Sequence, residues 1–329
     1  MNQQGESDKF STILQEFNLL LIIIKRFFHG IPVILGVITI SFILMYVAPG
    51  DPVLALVGDY YDDATLDNLR HQLGLDRPLP VQYGIYLQRI ATGDLGTSFV
   101  TGRPVWDDLA EKFPYTLQLA LAAMLIAIIT GVLLGVFSAL KKNTVWDKLS
   151  IVLSLAGVSA PVFWVALLLI LWVGVYLQWL PPTGYGGLKF LVLPAIALGT
   201  RSMAMLTRLT RAFMLDTMNE DYITTARAKG LSERMVIFKH AFRNMAIPLI
   251  TIIGLDFGSY VSGAVLTESV FGWPGVGRFA LNAIMKRDFP AIQGSVLFMA
   301  VVFVMVNILV DILYAWVDPR IRERITNAE

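Results

Sequence analysis

The feature that most constrains this chain is the recurrence of apolar runs about as long as a bilayer is thick. Six stretches carry roughly 20 residues each with hardly a charge, the length at which a helix crosses a hydrocarbon core. Inside lipid every backbone N–H and C=O must find its partner within the protein, so runs of this length form helices. Charged residues make up 16% of the chain, against roughly 25% in a soluble one. The sequence therefore predicts an all-α integral membrane fold with six transmembrane helices, near 31–47, 116–140, 149–176, 190–206, 246–266 and 294–317.

The net charge of +1 carries no information here, whereas the distribution of charge does. Lys25 and Arg26, the 141–148 loop, the 207–245 loop and the tail all carry basic residues and fall on one side. The 49–114 loop, with ten Asp and Glu against five Lys and Arg, falls on the other, as do 178–187 and 267–290. Cytoplasmic loops are enriched in Lys and Arg, so both termini are placed in the cytoplasm. The organisation is an N-terminal segment 1–28, a six-span domain 29–317 and a tail 318–329. Phe10, Ile13, Leu14, Phe17, Leu21, Ile24 and Phe28 recur at helical spacing, which predicts an amphipathic helix over 10–27 lying in the inner interface. Continuation of the first span is an equal alternative. The first eighteen residues are polar and show no cleavable signal pattern.

Several chemistries are excluded. The chain has no cysteine, and its three histidines, His29, His71 and His240, are far apart, which removes thiolate metal sites, histidine ligand pairs and a Ser/His/Asp set. It contains no Gly-x-x-x-x-Gly-Lys-Ser/Thr phosphate loop and no His-Glu-x-x-His. The chain reads as a non-enzyme with no metal site of its own and no nucleic-acid partner.

A polar, helix-prone stretch, Asn219–Leu231, interrupts the apolar background. Glu220 and Asp221 favour a helix N-terminus, Lys229 suits the last turn and Gly230 can end the helix. Tyr222, Ala226 and Lys229 are spaced to share a face. The stretch is predicted to be a helix at the membrane surface by which a separate motor protein moves the membrane part. Gly131 and Gly135, like Gly254, Gly258 and Ser262, place small residues on one face for close helix packing, preferentially within the chain. Gly157-Val-Ser159-Ala-Pro161 predicts a kink near mid-membrane, either a gate hinge or a static bend. Arg201 lies about 17 Å into the fourth span and Asp256 about 15 Å into the fifth. Charges at such depth pair or line water, so the two are expected to pair or to face a common aqueous path; the alternative for Arg201 is to snorkel inward. Asn307 and Asp311 are expected to bond to neighbouring helices.

Further motifs are Pro49-Gly50-Asp51-Pro52, Gly93-Asp94-Leu95-Gly96-Thr97-Ser98, Gly157 to Trp164, Asp221-Tyr222 to Leu231, Glu268 to Arg278, Arg287-Asp288-Phe289-Pro290 and Asp318-Pro319-Arg320. As an ordered set over about 25–322 they resemble the first permease subunit of the bacterial dipeptide/oligopeptide/nickel ABC importers. The resemblance implies a type I importer permease in the bacterial inner membrane. It implies four kinds of partner: a second homologous permease, two ATP-binding subunits, an extracytoplasmic substrate-binding protein and the surrounding lipid. No cofactor is implied in this chain, with ATP and magnesium on the partner subunits. Thr224-Thr225-Ala226 takes the place of the Glu-Ala-Ala triplet of importer coupling loops and Gly230 that of its glycine, which makes Glu220, Asp221, Tyr222, Thr225, Ala226, Lys229 and Gly230 the coupling candidates. Asp94, Trp273 and Arg278 are the outer-loop candidates for contact with the binding protein. Arg201, Asp256, Pro161 and Ser159 are the path or gate candidates. Arg201 stands where the family pattern is apolar. Peptides are the first substrate implied; nickel, metal chelates and glutathione belong to the same branch. The competing class is a secondary transporter working without ATPases, which would show inverted repeats or matched broken helices; Pro161 and Pro194 form no such pair.

Overall fold

The computed structural model describes residues 3–47, 70–71, 76–262 and 264–317. Pro49-Gly50-Asp51-Pro52 and Asp318-Pro319-Arg320 lie outside the described residues. Among those described, the regular structure is helical, with loops between the helices and one isolated bridge between Thr97 and Pro104. In chain order the helices are α1 (Gln3–Val47), α2 (Leu79–Ala91), α3 (Val105–Leu140), α4 (Val145–Ser159) and α5 (Val162–Leu169), which continues as a π-helical segment over Ile170–Tyr176. There follow α6 (Leu188–Met218), α7 (Asp221–Ala228), α8 (Phe242–Val261), α9 (Val265–Phe271), α10 (Val276–Met285) and α11 (Phe289–Val317).

Among the described residues four helices are long and apolar enough to cross a membrane alone: Ile24–Val47 within α1, α3, α6, and Phe289–Leu313 within α11. The number reaches six when each of two bent pairs is taken as one span. The segment 10–27 is helical and runs into the first span without a break, as the continuation alternative required. The second span starts earlier than expected, because α3 begins at Val105 and passes through Pro114.

The kink expected at Pro161 is a corner: the chain bends by 108° between 145–159 and 162–176. Pro161 has no N–H to donate, and its ring drives Ala160 out of the helical region, to φ −72° and ψ 129°. Ser159 is thus the last residue of α4 and Pro161 the N-cap of α5. They mark a junction of two helices, which replaces the hinge within one helix. The second pair, 233–246 and 248–261, bends by 45°.

The frame is the contact between α3 and α6, the most extensive in the fold. A Cβ at Gly131 would lie 2.8 Å from the Met203 carbonyl oxygen, and one at Gly135 would lie 2.7 Å from that of Thr207. Gly199 on α6 returns the arrangement, 2.7 Å from the Ala123 oxygen. Lipid gives two apolar helices little reason to associate, so this backbone-to-backbone fit is what holds them, and the small-residue face is spent within the chain. Gly258 faces Val306 and Phe303 of α11 at ordinary contact distance. Asp311 of α11 pairs with Arg26 of α1 at 3.0 Å, while Asn307 donates to Phe303 of its own helix instead of a neighbour. On the outer side α2 lies along α1, with Tyr83 bonded to Thr39 and Tyr86 to Ser41.

Candidate coupling site and outer cap

The coupling candidate is α7, a short helix between the inner ends of α6 and α8. Glu220 is its N-cap residue and Lys229 its C-cap. Its end is a Schellman closure: Leu231 N–H donates to the Ala226 carbonyl at 3.4 Å and Gly230 N–H to that of Arg227 at 2.9 Å, with Gly230 at φ +78°. Ile223 and Ala226 form the buried stripe, so Ala226 does not share an outward face with Tyr222 and Lys229. The two buried residues join Met214, Val236, Ile237, Ala241 and Met245 in a core that extends to Ala127 and Val136 of α3. The helix is therefore fixed to the membrane frame by apolar packing. Glu220, Asp221, Tyr222, Thr225, Arg227 and Lys229 are left on the exposed side. Arg227 holds Glu233 through two bonds, and the Tyr222 hydroxyl accepts from Asn244 at 2.9 Å. Beside this face Met235 and Phe238 are 43% and 65% exposed. Apolar side chains of this exposure on a membrane chain meet lipid or a partner subunit. Sequence reasoning missed both residues, because in an apolar chain two more apolar residues carry no signal.

A second inner feature was also missed. Asp147 is buried and accepts from Ser138 Oγ at 2.6 Å, Asn143 N at 2.8 Å, and Arg211 Nε and Nη2 at 2.6 and 2.9 Å. One carboxylate thus clamps the end of α3, the turn into α4 and α6. The readable signal is Thr144, the N-cap of α4, three residues ahead of an acidic residue.

At mid-membrane Arg201 and Asp256 do not pair. The Asp256 Oδ2 accepts from Ser202 Oγ at 2.6 Å, and that hydroxyl accepts from Tyr260 at 2.5 Å. Ser202, one residue beyond Arg201, is the observed partner of this carboxylate in place of the expected ion pair. Arg201 is exposed and forms no ion pair among the described residues.

The outer motifs build one cap. Glu268, fully buried on α9, receives Thr116 Oγ–H at 2.7 Å and the Arg278 N–H at 2.9 Å, with the Gly277 N–H as a third donor. Thr116 Oγ in turn accepts from Val276 N–H at 2.9 Å. The first three helical N–H groups of α10 would otherwise be orphans; a remote carboxylate and hydroxyl satisfy them. Burial raises the Glu268 carboxyl above the ordinary glutamate range, and the hydrogen bonds pull it back only in part. A Cβ at Gly275 would fall inside the Glu268 carboxylate, which explains the glycine.

Trp273 is fully buried, stacks edge-on with Tyr185 and donates Nε1–H to the Tyr115 carbonyl at 2.9 Å. It is therefore not a surface contact for a binding protein, as its place in the outer-loop motif suggested, but part of the interior of the cap. Arg278 is half-buried and its Nη1 donates to the Gly272 carbonyl. Asp94 is exposed, with Oδ1 accepting from Gly96 N–H in a tight turn. Nearby, Ser98 Oγ donates to Asp288 at 2.5 Å, and Asp288 also accepts from Phe99, Val100 and Ala291 N–H. The Gly-Asp-Leu-Gly-Thr-Ser and Arg-Asp-Phe-Pro motifs are thus two halves of one joint.

Comparison with known proteins gives the same assignment as these motifs. Residues 131–323 match the family described as binding-protein-dependent transport system inner membrane component, and residues 19–120 match its N-terminal family. The dipeptide transport system permease protein DppB of Alkalihalophilus pseudofirmus is 39% identical over 91% of this chain and 98% of its own length. The di/tripeptide transport system permease protein DppB of Pseudomonas aeruginosa is 41% identical over 93% and 100%. The glutathione transport system permease protein GsiC of Escherichia coli is 40% identical over 91% and 98%. A chain of the MetNI methionine ABC transporter, solved in inward facing conformations, shares the fold with a TM-score of 0.51 at 14% identity, covering 64% of this chain and 96% of that one. The chain belongs to the binding-protein-dependent transport system inner membrane component family: it is a multi-pass inner-membrane permease subunit of an ABC importer, without an ATPase of its own.

Proposed function

We propose that this chain is the first of two homologous permeases in an importer of short peptides. Two ATP-binding subunits would drive it and an extracytoplasmic protein would deliver its ligand; ATP and magnesium would reside on the driving subunits. The observation that carries the coupling role is α7, held from behind by Ile223 and Ala226 and open in front at Glu220, Asp221, Tyr222, Thr225 and Lys229. A helix so fixed passes displacement on to α6 and α8 without first unpacking. The substrate class rests on relatives named for dipeptides, di/tripeptides and glutathione, itself a small peptide. On the outside Asp94 stays in the proposed contact with the binding protein, and Arg278 holds the cap behind it. Ser159 and Pro161 form the corner about which the access path would change.

The test is purification of the tagged chain in mild detergent, followed by ATPase and peptide-uptake assays in vesicles. The expected result is co-purification of a second permease and nucleotide-binding subunits, with vanadate-sensitive hydrolysis stimulated by peptide-loaded binding protein. Recovery of the chain alone, with uptake driven by a proton gradient, would instead make it a secondary transporter.

A further inference from the structure

On α6 no residue from 190 to 200 is exposed; exposure begins at Arg201 and then recurs at Met205, Arg208, Ala212 and Asp216. Intervals of four, three, four and four place these five on one face, running from mid-membrane to the inner end. The corresponding line on α3, Leu121, Leu125, Ile129 and Leu133, is wholly apolar, as a surface against acyl chains must be. Arg208 and Asp216 lie beyond the fourth span, on the cytoplasmic side, so within the membrane the charge on this face is Arg201; a guanidinium exposed at that depth does not suit lipid and lines water. Arg201 is its deepest member. Among the described residues it has no direct partner: Asp256 is bonded to Ser202, and Arg201 forms neither an ion pair nor a side-chain hydrogen bond.

We infer that Arg201 is an anion-reading subsite on the translocation path, and that the anion is the free carboxylate of the transported peptide. This rests on the peptide reading above. Dipeptides, tripeptides and glutathione differ in side chains and length but share a free carboxylate, so one fixed guanidinium can serve them all. Its planar fork matches a carboxylate in two parallel hydrogen bonds. The Asp256–Ser202–Tyr260 chain holds the Asp256 carboxylate on its own hydrogen bond, so the Arg201 fork has no carboxylate in direct contact.

The test uses the complete complex in vesicles with its loaded binding protein, comparing Ala-Ala with its C-terminal amide, each at concentrations that saturate the binding protein. Arg201→Gln is expected to slow import of the free acid about tenfold while leaving the amide within about twofold, with Arg201→Lys between wild type and Arg201→Gln. Equal slowing of both peptides, or of neither, overturns the assignment. So does loss of the second permease from the Arg201→Gln complex on size exclusion, which would make Arg201 an intersubunit ion pair. If Arg201→Gln does not assemble for any other reason, an unchanged acid-to-amide ratio in Arg201→Lys overturns it equally. A wild-type complex that imports neither peptide removes the peptide reading itself; one that imports peptides without discrimination by Arg201 removes only the carboxylate subsite.

Discussion

The sharpest test of the outer cap is the pair Glu268 and Gly275. Truncation in Glu268→Ala takes the acceptor from Thr116 Oγ–H and from the N–H groups of Gly277 and Arg278, all in the buried cap. At about 1 kcal/mol for each donor left without a partner, the cost is about 3 kcal/mol, reduced a little because a desolvated carboxylate goes with it. Gly275→Ala acts from the other side. Its Cβ overlaps the carboxylate, which cannot step aside without breaking the same three bonds, so the cost is about 2–3 kcal/mol. The two costs have one origin. Once Glu268 is alanine the collision is gone, and the double variant should be little worse than Glu268→Ala, a coupling of about 2 kcal/mol. Thermal unfolding of the purified complex can be followed through tryptophan fluorescence, because Trp273 is buried in the same cap. Costs that add to within about 0.5 kcal/mol would refute the argument, since additivity is the mark of independent sites.

Four further outcomes follow from the same geometry. Asp147→Asn should destabilise the inner end by about 1–3 kcal/mol, because Arg211 keeps its charge beside a partner that has lost it; chemical unfolding of Asp147→Asn against an Asp147→Asn/Arg211→Met double variant would check this. Reversing Glu220 and Asp221 to lysine should abolish uptake while the complex still assembles, and Gly230→Val should do so through about 1–2 kcal/mol of strain at φ +78°, since its surroundings leave open space for a Cβ; uptake and ATPase rates on the same preparation separate coupling from assembly. Because the folded Glu268 carboxyl binds its proton more tightly than in the unfolded chain, its contribution is full below about pH 4.3 and is lost as pH rises through the folded value; Glu268→Gln should flatten that limb of the unfolding temperature against pH. Asp288→Ala should expose the 94–103 loop to protease, at a cost of about 2 kcal/mol, by releasing Ser98, Phe99 and Val100 together.

Helix positions and the coupling segment were legible because their signals are local: a long apolar run, a capped polar helix, a glycine at the αL position. Gly131 and Gly135 were legible too, since small residues four apart have few other uses in lipid. What escaped was set by partners distant in the chain. Trp273 read as an outer-loop contact for the binding protein until the Tyr115 carbonyl and Tyr185 closed over it. Asp256 read as pairing with Arg201 or sharing an aqueous path with it, and the pairing gives way to a bond from a serine hydroxyl. At Pro161 composition told of a break but not of its angle, because 108° is decided by what each arm packs against.

The cap joints also bear on how the chain is made. Ser98 waits for Asp288, 190 residues later, and Thr116 waits for Glu268, 152 residues later. Synthesis delivers the N-terminal half of each joint long before its mate. Until the last spans are inserted, the start of α3 and the loop before it hold unanswered polar groups on the outer surface. A chain that stops short of Asp288 therefore keeps an open, protease-accessible outer face, and closure of that face reports that the polypeptide has been completed and inserted in register.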